Sequence, residues 1–226
     1  NILRILYNEP IDMPKRSVVH VLGNSIMNTS LANVLKQYSE LKNKPNYYVN
    51  EAEINRLGYE LINVNKITEA IAIFNLNAIE HPQSANVWDS RGEAYMLKGE
   101  KAQAIMDYKK SLELEPYNMN AIKKLNELGE KVADPKEALV AEKVLDTYVG
   151  KYQLAPSFVI SITREGGRLY AQATGQPRFE LYAQSEIKFF VKLVDVKILF
   201  VKNKQGSAEN LILFQDGQER HGKRIN

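Results

Sequence analysis

Two hydrophobic rhythms divide this chain. From Ser17 to Leu128 apolar residues recur at helical spacing, and from Tyr148 onward they alternate with polar ones. In the first stretch Val18, Val19, Leu22 and Ile26 predict one helix, and Val34, Leu35, Tyr38 and Leu41 a second starting near Leu31. Ala121, Ile122, Leu125 and Leu128 form one side of a helix expected over 118–131, with Lys123, Lys124, Glu127 and Glu130 opposite. Asp134-Pro135-Lys136-Glu137 has the order of a helix start: a cap, a first-turn proline and a carboxylate three places after the cap. It predicts a bridging helix over 134–147. Beyond it, Phe158/Ile160/Ile162, Leu169/Ala171/Ala173, Phe179/Leu181, Ile187/Phe189/Val191, Val196/Ile198/Phe200 and Leu211/Leu213 keep a period of two. Glu165-Gly166-Gly167, Gly175-Gln176, Lys204-Gln205-Gly206 and Asp216-Gly217 break the runs where hairpins would turn. With Tyr148–Tyr152 and Gln218–Ile225, about eight short strands are expected, enough for an antiparallel barrel or half-barrel.

Within the helical stretch one pattern is written twice. Gly58/Gly92, Ala70/Ala104, Phe74/Tyr108 and Pro82/Pro116 are each 34 residues apart. That is the period of the tetratricopeptide repeat, a stacking pair of antiparallel helices. The small residues sit where helices cross closely, and Ile54/Trp88 and Phe74/Tyr108 are expected to fill the space between them. Residues 17–44 read as a degenerate helical hairpin capping the array. The predicted fold is therefore α + β in two domains: a tetratricopeptide-repeat helical array, then an antiparallel all-β barrel or half-barrel of lipocalin-like kind. The expected organisation is 1–16 a linker from a missing upstream domain, 17–133 helical repeats, 134–147 the bridge and 148–226 the barrel. The chain opens on Asn1 rather than methionine, with an apolar cluster (Ile2, Leu3, Ile5, Leu6, Tyr7) ahead of Pro10 and Pro14, and is expected to be a piece of something longer.

Composition changes this picture little. A 44% hydrophobic, 25% charged chain of 226 residues is ordinary for a globular protein. A net charge of +3 is too weak and dispersed to argue for nucleic acid. With no cysteine there is neither a disulfide framework nor a thiolate metal site, and no apolar run reaches the length of a membrane-spanning helix.

Candidate chemistry is sparse. Ser39-Glu-Leu-Lys42 matches S-x-x-K, in which a lysine lies one helical turn from a nucleophilic serine, and Tyr48-Val-Asn50 matches Y-x-N. The two motifs are only a few residues apart, and no K-T-G strand follows to complete an oxyanion hole. Ser185-Glu-Ile-Lys188 repeats the first motif inside a strand region, where the one-turn geometry fails. There is no G-x-S-x-G elbow, phosphate loop or H-E-x-x-H. His20, His81 and His221 are far apart and lack metal-ligand spacing, so no metal and no cofactor is expected. Asn28-Thr-Ser30 fits a glycosylation triplet that chance alone supplies often.

Surfaces remain. Concave positions of the repeat place Ala52, Asn55, Tyr59 and Ile62 beside Asn86, Asp89, Glu93 and Met96, and of these Asn55, Tyr59, Asn86, Asp89 and Glu93 suit an extended peptide or loop as well as they suit plain solvent. In the barrel, Tyr170, Phe190, Leu199, Ile212 and Phe214, with Val201, are apolar on the face opposite the core. Either the helices of the same chain or a domain absent from it would cover them. The barrel interior is either packed solid or leaves an apolar cavity for a small ligand.

Several phrases resemble a known family. Asn50-Glu51-x-x-Ile54-Asn55-x-Leu57-Gly58-Tyr59 and HPQSANVWDSRGEAY (81–95), the latter through Pro82, Ser84, Asn86, Asp89, Ser90, Gly92, Glu93 and Tyr95, resemble the repeat block that follows the catalytic domain in bacterial serine hydrolases related to class C β-lactamases and penicillin-binding proteins. ILYNEPIDMPKRSV resembles the linker before that block, and YVGKY (148–152) and GGRLYAQATGQPRFEL (166–181) the small β domain after it. Arg91 departs from the pattern, which prefers leucine. The resemblance implies that the catalytic serine, lysine and tyrosine belong to a preceding domain and that this chain is no enzyme by itself. It implies an accessory region docking on that hydrolase domain or on a protein partner, and an exported, periplasmic setting. A free-standing peptide-binding module and a lipocalin-like carrier are the alternatives.

Overall fold

The structure is a computed structural model that describes residues 14–215 and 218–225. The linker expected over 1–16 falls almost wholly outside them, as does the Asp216-Gly217 turn. Two compact units divide between Ala104 and Ile105.

In the first unit, α1 (Val18–Ile26) and α2 (Leu31–Leu41) form the expected hairpin, followed by α3 (Glu51–Asn63), α4 (Ile67–Glu80) and α5 (Ala85–Lys98). Helix starts follow local chemistry: Ser17, Ser30 and Asn50 turn side-chain oxygens onto the amides of Val19, Asn33 and Glu53. α4 stops two residues short of Pro82, because the residue before a proline is pushed out of helical geometry. The core joins Leu22, Val34, Ile54, Leu61, Ile73 and Phe74. A Cβ on Gly58 would fall 2.3 Å from Phe74 Cε1, so the crossing of α3 and α4 requires glycine there. A two-residue parallel bridge, β1 (Arg16–Ser17) to β2 (Tyr47–Tyr48), ties the entry strand to the loop before α3. Trp88 is not the core residue expected of it. It is half-buried, its Nε1 donates to Pro82 O at 2.9 Å, and Arg91 stacks on its ring at 4.7 Å. The guanidinium also donates to Asn75 Oδ1 at 2.7 Å, so the departure at Arg91 is accommodated at the surface.

α6 (Lys101–Leu114) runs across the division. In the second unit it is followed by α7 (Met119–Glu127), α8 (Glu142–Asp146) and β3 (Gly150–Ala155), β4 (Phe158–Glu165), β5 (Arg168–Ala173), β6 (Arg178–Ala183), β7 (Lys188–Val191), β8 (Val196–Lys202), β9 (Ala208–Gln215) and β10 (Gln218–Ile225). α7 is shorter than the 118–131 expected, capped by Asn118 and terminated before Gly129, whose φ is 91°. The bridging helix over 134–147 is not formed as expected; only Glu142–Asp146 is helical. The capping signal at Asp134–Glu137 is overridden because the segment lies against the barrel instead. Ala138 N donates to Ala183 O at 2.8 Å, Glu137 pairs with Arg168, and Lys192 lies 3.5 Å from both Asp134 and Glu137.

The eight strands β3 to β10 close into an antiparallel barrel in which β10 pairs with both β9 and β3. The inward alternation holds: Ile160, Ile162, Leu169, Leu181, Phe189, Val191, Ile198, Phe200, Leu211 and Leu213 are all buried in one core. Ile187 is the exception, lying outside β7 and exposed. One end is filled by aromatics, with Tyr148 stacked on Phe200 at 4.2 Å and Phe189 and Tyr152 edge-on or tilted against Phe200.

Candidate functional site

The groove residues lie on α3 and α5, and three of them, Tyr59, Glu93 and Asn86, enter two separate hydrogen-bonded groups. The Tyr59 hydroxyl donates to Glu93 Oε2 at 2.9 Å and sits 3.3 Å from Ser90 Oγ. Burial, then the neighbouring Glu93 carboxylate, pushes its pKa far above the usual phenol value. Asn86 Nδ2 donates to Glu51 Oε1 at 3.2 Å, and Ser84 Oγ donates to the same oxygen at 2.8 Å. Asn77, wholly buried, donates to Glu51 O at 3.0 Å. Asn55 is buried too, yet its Oδ1 has no hydrogen-bond partner. Asp89 is half-buried and engaged in a contact of its own. Sequence reasoning named Asn55, Tyr59, Asn86, Asp89 and Glu93 but missed Glu51, the acid on which Ser84 and Asn86 converge. Its place in the first turn of α3, where carboxylates are favoured, was the available signal.

The serine motifs are taken apart. Ser39, exposed on α2, donates to Lys36 O of its own helix at 2.7 Å, while Lys42 pairs with Glu80 at 2.6 Å. Tyr48 donates to Glu53 at 3.1 Å, and Ser17 bonds the other oxygen of the same carboxylate. Ser185 accepts the Lys188 amide at 3.1 Å, and Lys188 Nζ faces Glu115 at 3.7 Å. Each hydroxyl or amine is thus committed to a different structural partner. An open cleft of about 580 Å³ lies between α1 and α3, floored by Val19, Leu57 and Leu61, with His20, Glu53 and Arg56 at its edge. His20 is exposed, His81 caps α4, and His221 is exposed on β10. Among the described residues no cluster of histidine or carboxylate side chains could hold a metal ion. Nor is any described helix long and apolar enough to cross a membrane.

The apolar outer face of the barrel is only partly open. Phe190 is buried under Tyr117, from the turn between α6 and α7, at 5.1 Å, and beside Tyr182 at 5.8 Å. Arg178 stacks on Tyr170 at 3.7 Å. Leu199 and Ile212 face each other across β8 and β9, and one step along Lys197 faces Phe214. These three apolar residues are half-buried, and Val201 beside them is exposed. Glu115 locks the α6 end to this wall through Lys188 and Lys197, 3.7 and 3.5 Å away.

With these surfaces placed, comparison with known proteins identifies the parts. Residues 85–118 match the tetratricopeptide repeat, and residues 134–224 match the family described as a domain of unknown function, DUF3471. A tetratricopeptide repeat and a DUF3471 domain share this chain. The barrel with its strap is the DUF3471 domain. Penicillin-binding protein 4* of Bacillus subtilis (strain 168) is 33% identical over 98 residues, which cover 43% of this chain and 22% of that protein. The chain thus spans about a fifth of the length of that relative, resembling its C-terminal, non-catalytic part. Among solved structures, the first tetratricopeptide repeat domain of Spaghetti (RPAP3) bound to the HSP90 peptide SRMEEVD is 18% identical, with a TM-score of 0.35, over 50% of this chain and 87% of that one. The crystal structure of MamA is 21% identical, with a TM-score of 0.33, over 44% and 60%.

Proposed function

We propose that this chain is the non-catalytic accessory region of a β-lactamase-like serine hydrolase, docking on the catalytic domain or on a protein partner. The observation that carries this reading is the 33% identity to a penicillin-binding protein, confined to a minor part of its length. The dispersed serine motifs agree with it, since Ser39, Lys42 and Tyr48 each have a separate structural partner. The docking surface on the DUF3471 domain is the wall around Leu199, Ile212 and Phe214. Phe190 and Tyr170, on the same outer face, are already covered by Tyr117 and Arg178.

The test is binding between this chain and the separately produced hydrolase domain encoded with it. Association is expected, and Ile212→Asp should weaken it at least about tenfold, as expected when a charge enters a desolvated apolar contact. Absence of binding, or binding indifferent to that substitution, counts against the docking face. A coding sequence upstream of Asn1 without a spaced S-x-x-K, Y-x-N and K-T-G set overturns the hydrolase reading itself.

Asn55 favours a second reading, a peptide groove on the repeats. A buried carbonyl oxygen without a donor is costly unless a ligand or an ordered water supplies one. Asn55, Tyr59, Asn86, Asp89 and Glu93 would line that groove, with Glu93 and Asp89 selecting a basic segment.

A further inference from the structure

The two ends of the barrel are built differently. Tyr148, Tyr152, Phe189 and Phe200 close one, as described above. At the other, β5 contributes Ala171 and Ala173 at inward positions, opposite Phe179 and Ile160 on the neighbouring strands. Two methyl-sized side chains cannot fill an eight-stranded interior, which is just wide enough for large residues or one small ligand. The shortfall is a cavity of about 120 Å³, walled by Ile160, Ala171, Ala173, Phe179, Val191 and Ile198 and open to solvent at that end. Among the described residues no charged side chain lines it; the polar residues are Gln176 and Gln215. The turn between β7 and β8 brings Val194 to the lining, 41% exposed, next to Leu193, 83% exposed.

We propose that the open end of the DUF3471 barrel is a binding site for the alkyl tail of a small uncharged amphiphile, with its polar head at the Gln176 and Gln215 amides. Size and lining set the class. An apolar cavity of about 150 Å³ stays dry and takes up a benzene-sized guest. At 120 Å³ this one accepts a short unbranched chain and excludes a sterol or a branched lipid. The walls offer nothing to a charge, and an unpaired ion among them would lose its hydration without compensation. The amides at the mouth each provide a donor and an acceptor for a hydroxyl or carboxamide head. Exposed Leu193 and Val194 extend the apolar surface outward, where a longer chain would continue. This site is independent of the docking wall, which lies on the outside of the sheet.

Hexan-1-ol is the probe. Titrated into the chain with its methyl groups observed by NMR, it should give saturable shifts at Ile160, Ala171, Val191 and Ile198 and leave the Ile54 and Ile73 methyls of the helical unit unmoved. The melting temperature of the barrel should rise with alcohol concentration by mass action. Ala173→Leu should fill the cavity and abolish the saturable shifts. If that variant does not fold, Gln215→Ala, which alters only an exposed amide at the mouth, should weaken binding of hexan-1-ol while leaving the shift pattern in place. Shifts that grow linearly to the solubility limit, or saturable shifts that persist in folded Ala173→Leu, overturn the proposal. Hexylammonium binding as tightly as hexan-1-ol overturns the uncharged class.

Discussion

A Cβ on Gly150 would lie 2.9 Å from the Nε of Arg224. The bare backbone of the first barrel strand lets the guanidinium of the last strand lie flat against it. From there Arg224 donates to Thr147 O at 3.2 Å, Ala208 O at 3.1 Å and Val149 O. One side chain thus ties the closing strand to β9 and to the segment entering β3. Arg224→Ala removes all three of these charge-assisted hydrogen bonds and should cost about 1.5–3 kcal/mol, the range for hydrogen bonds to a charged group. Arg224→Lys should recover only part, since an ammonium lacks the planar fork. Urea unfolding followed by β-sheet ellipticity measures both.

Gly58→Ala tests the helical crossing. The added methyl would fall within 2.3 Å of buried Phe74, and overpacking of this kind costs about 1–3 kcal/mol. Phe74→Leu in the same chain should return part of that loss, so the pair should be non-additive in a double-mutant cycle.

Asn55 should behave in the opposite way. Its buried Oδ1 has no partner, so Asn55→Ala removes an unsatisfied acceptor and should leave the melting temperature unchanged or raised. A marked fall would show that the side chain supports the fold. A neutral or stabilising result fits a residue kept for a ligand at the expense of stability.

Alkaline pH should loosen the barrel. Burial pushes the Tyr152 phenol up to about 12, Arg224 pulls against it, and Tyr148 adds to it. In the unfolded chain a phenol titrates near about 10. A group with its folded pKa raised contributes stability that is complete below the unfolded value and lost as pH climbs through the folded one. The unfolding free energy should therefore hold up to about pH 10 and fall towards about pH 12. Tyr152→Phe should flatten part of that fall while losing the 2.9 Å bond to Tyr148 O. Tyr148 is shifted the same way by burial, so the flattening is partial.

The parts legible in the sequence were those set by local periodicity. Alternation from Phe158 to Leu213 placed the inward face, and the step of 34 placed Gly58 under Phe74. What escaped depends on residues distant in sequence. The capping signal at Asp134 is a local preference worth about 1 kcal/mol, and the Ala138–Ala183 bond with the Glu137–Arg168 pair outweighs it. Alternation puts Phe190 outside correctly, but nothing in that period announces Tyr117 as its cover. Trp88 follows the repeat to a core position, whereas Pro82 O and Arg91 hold it at the surface. Of the groove, the residue types were readable; the convergence of Ser84 and Asn86 on Glu51 was not, because it joins side chains 33 and 35 positions apart.

The proposed reading is that this chain contributes surfaces and no chemistry of its own. Its most direct test is the hydrolysis of nitrocefin and of a simple ester by the purified chain. The account predicts turnover indistinguishable from buffer, and no difference between the wild type and Ser39→Ala. Robust turnover by the wild type that disappears in Ser39→Ala would contradict it.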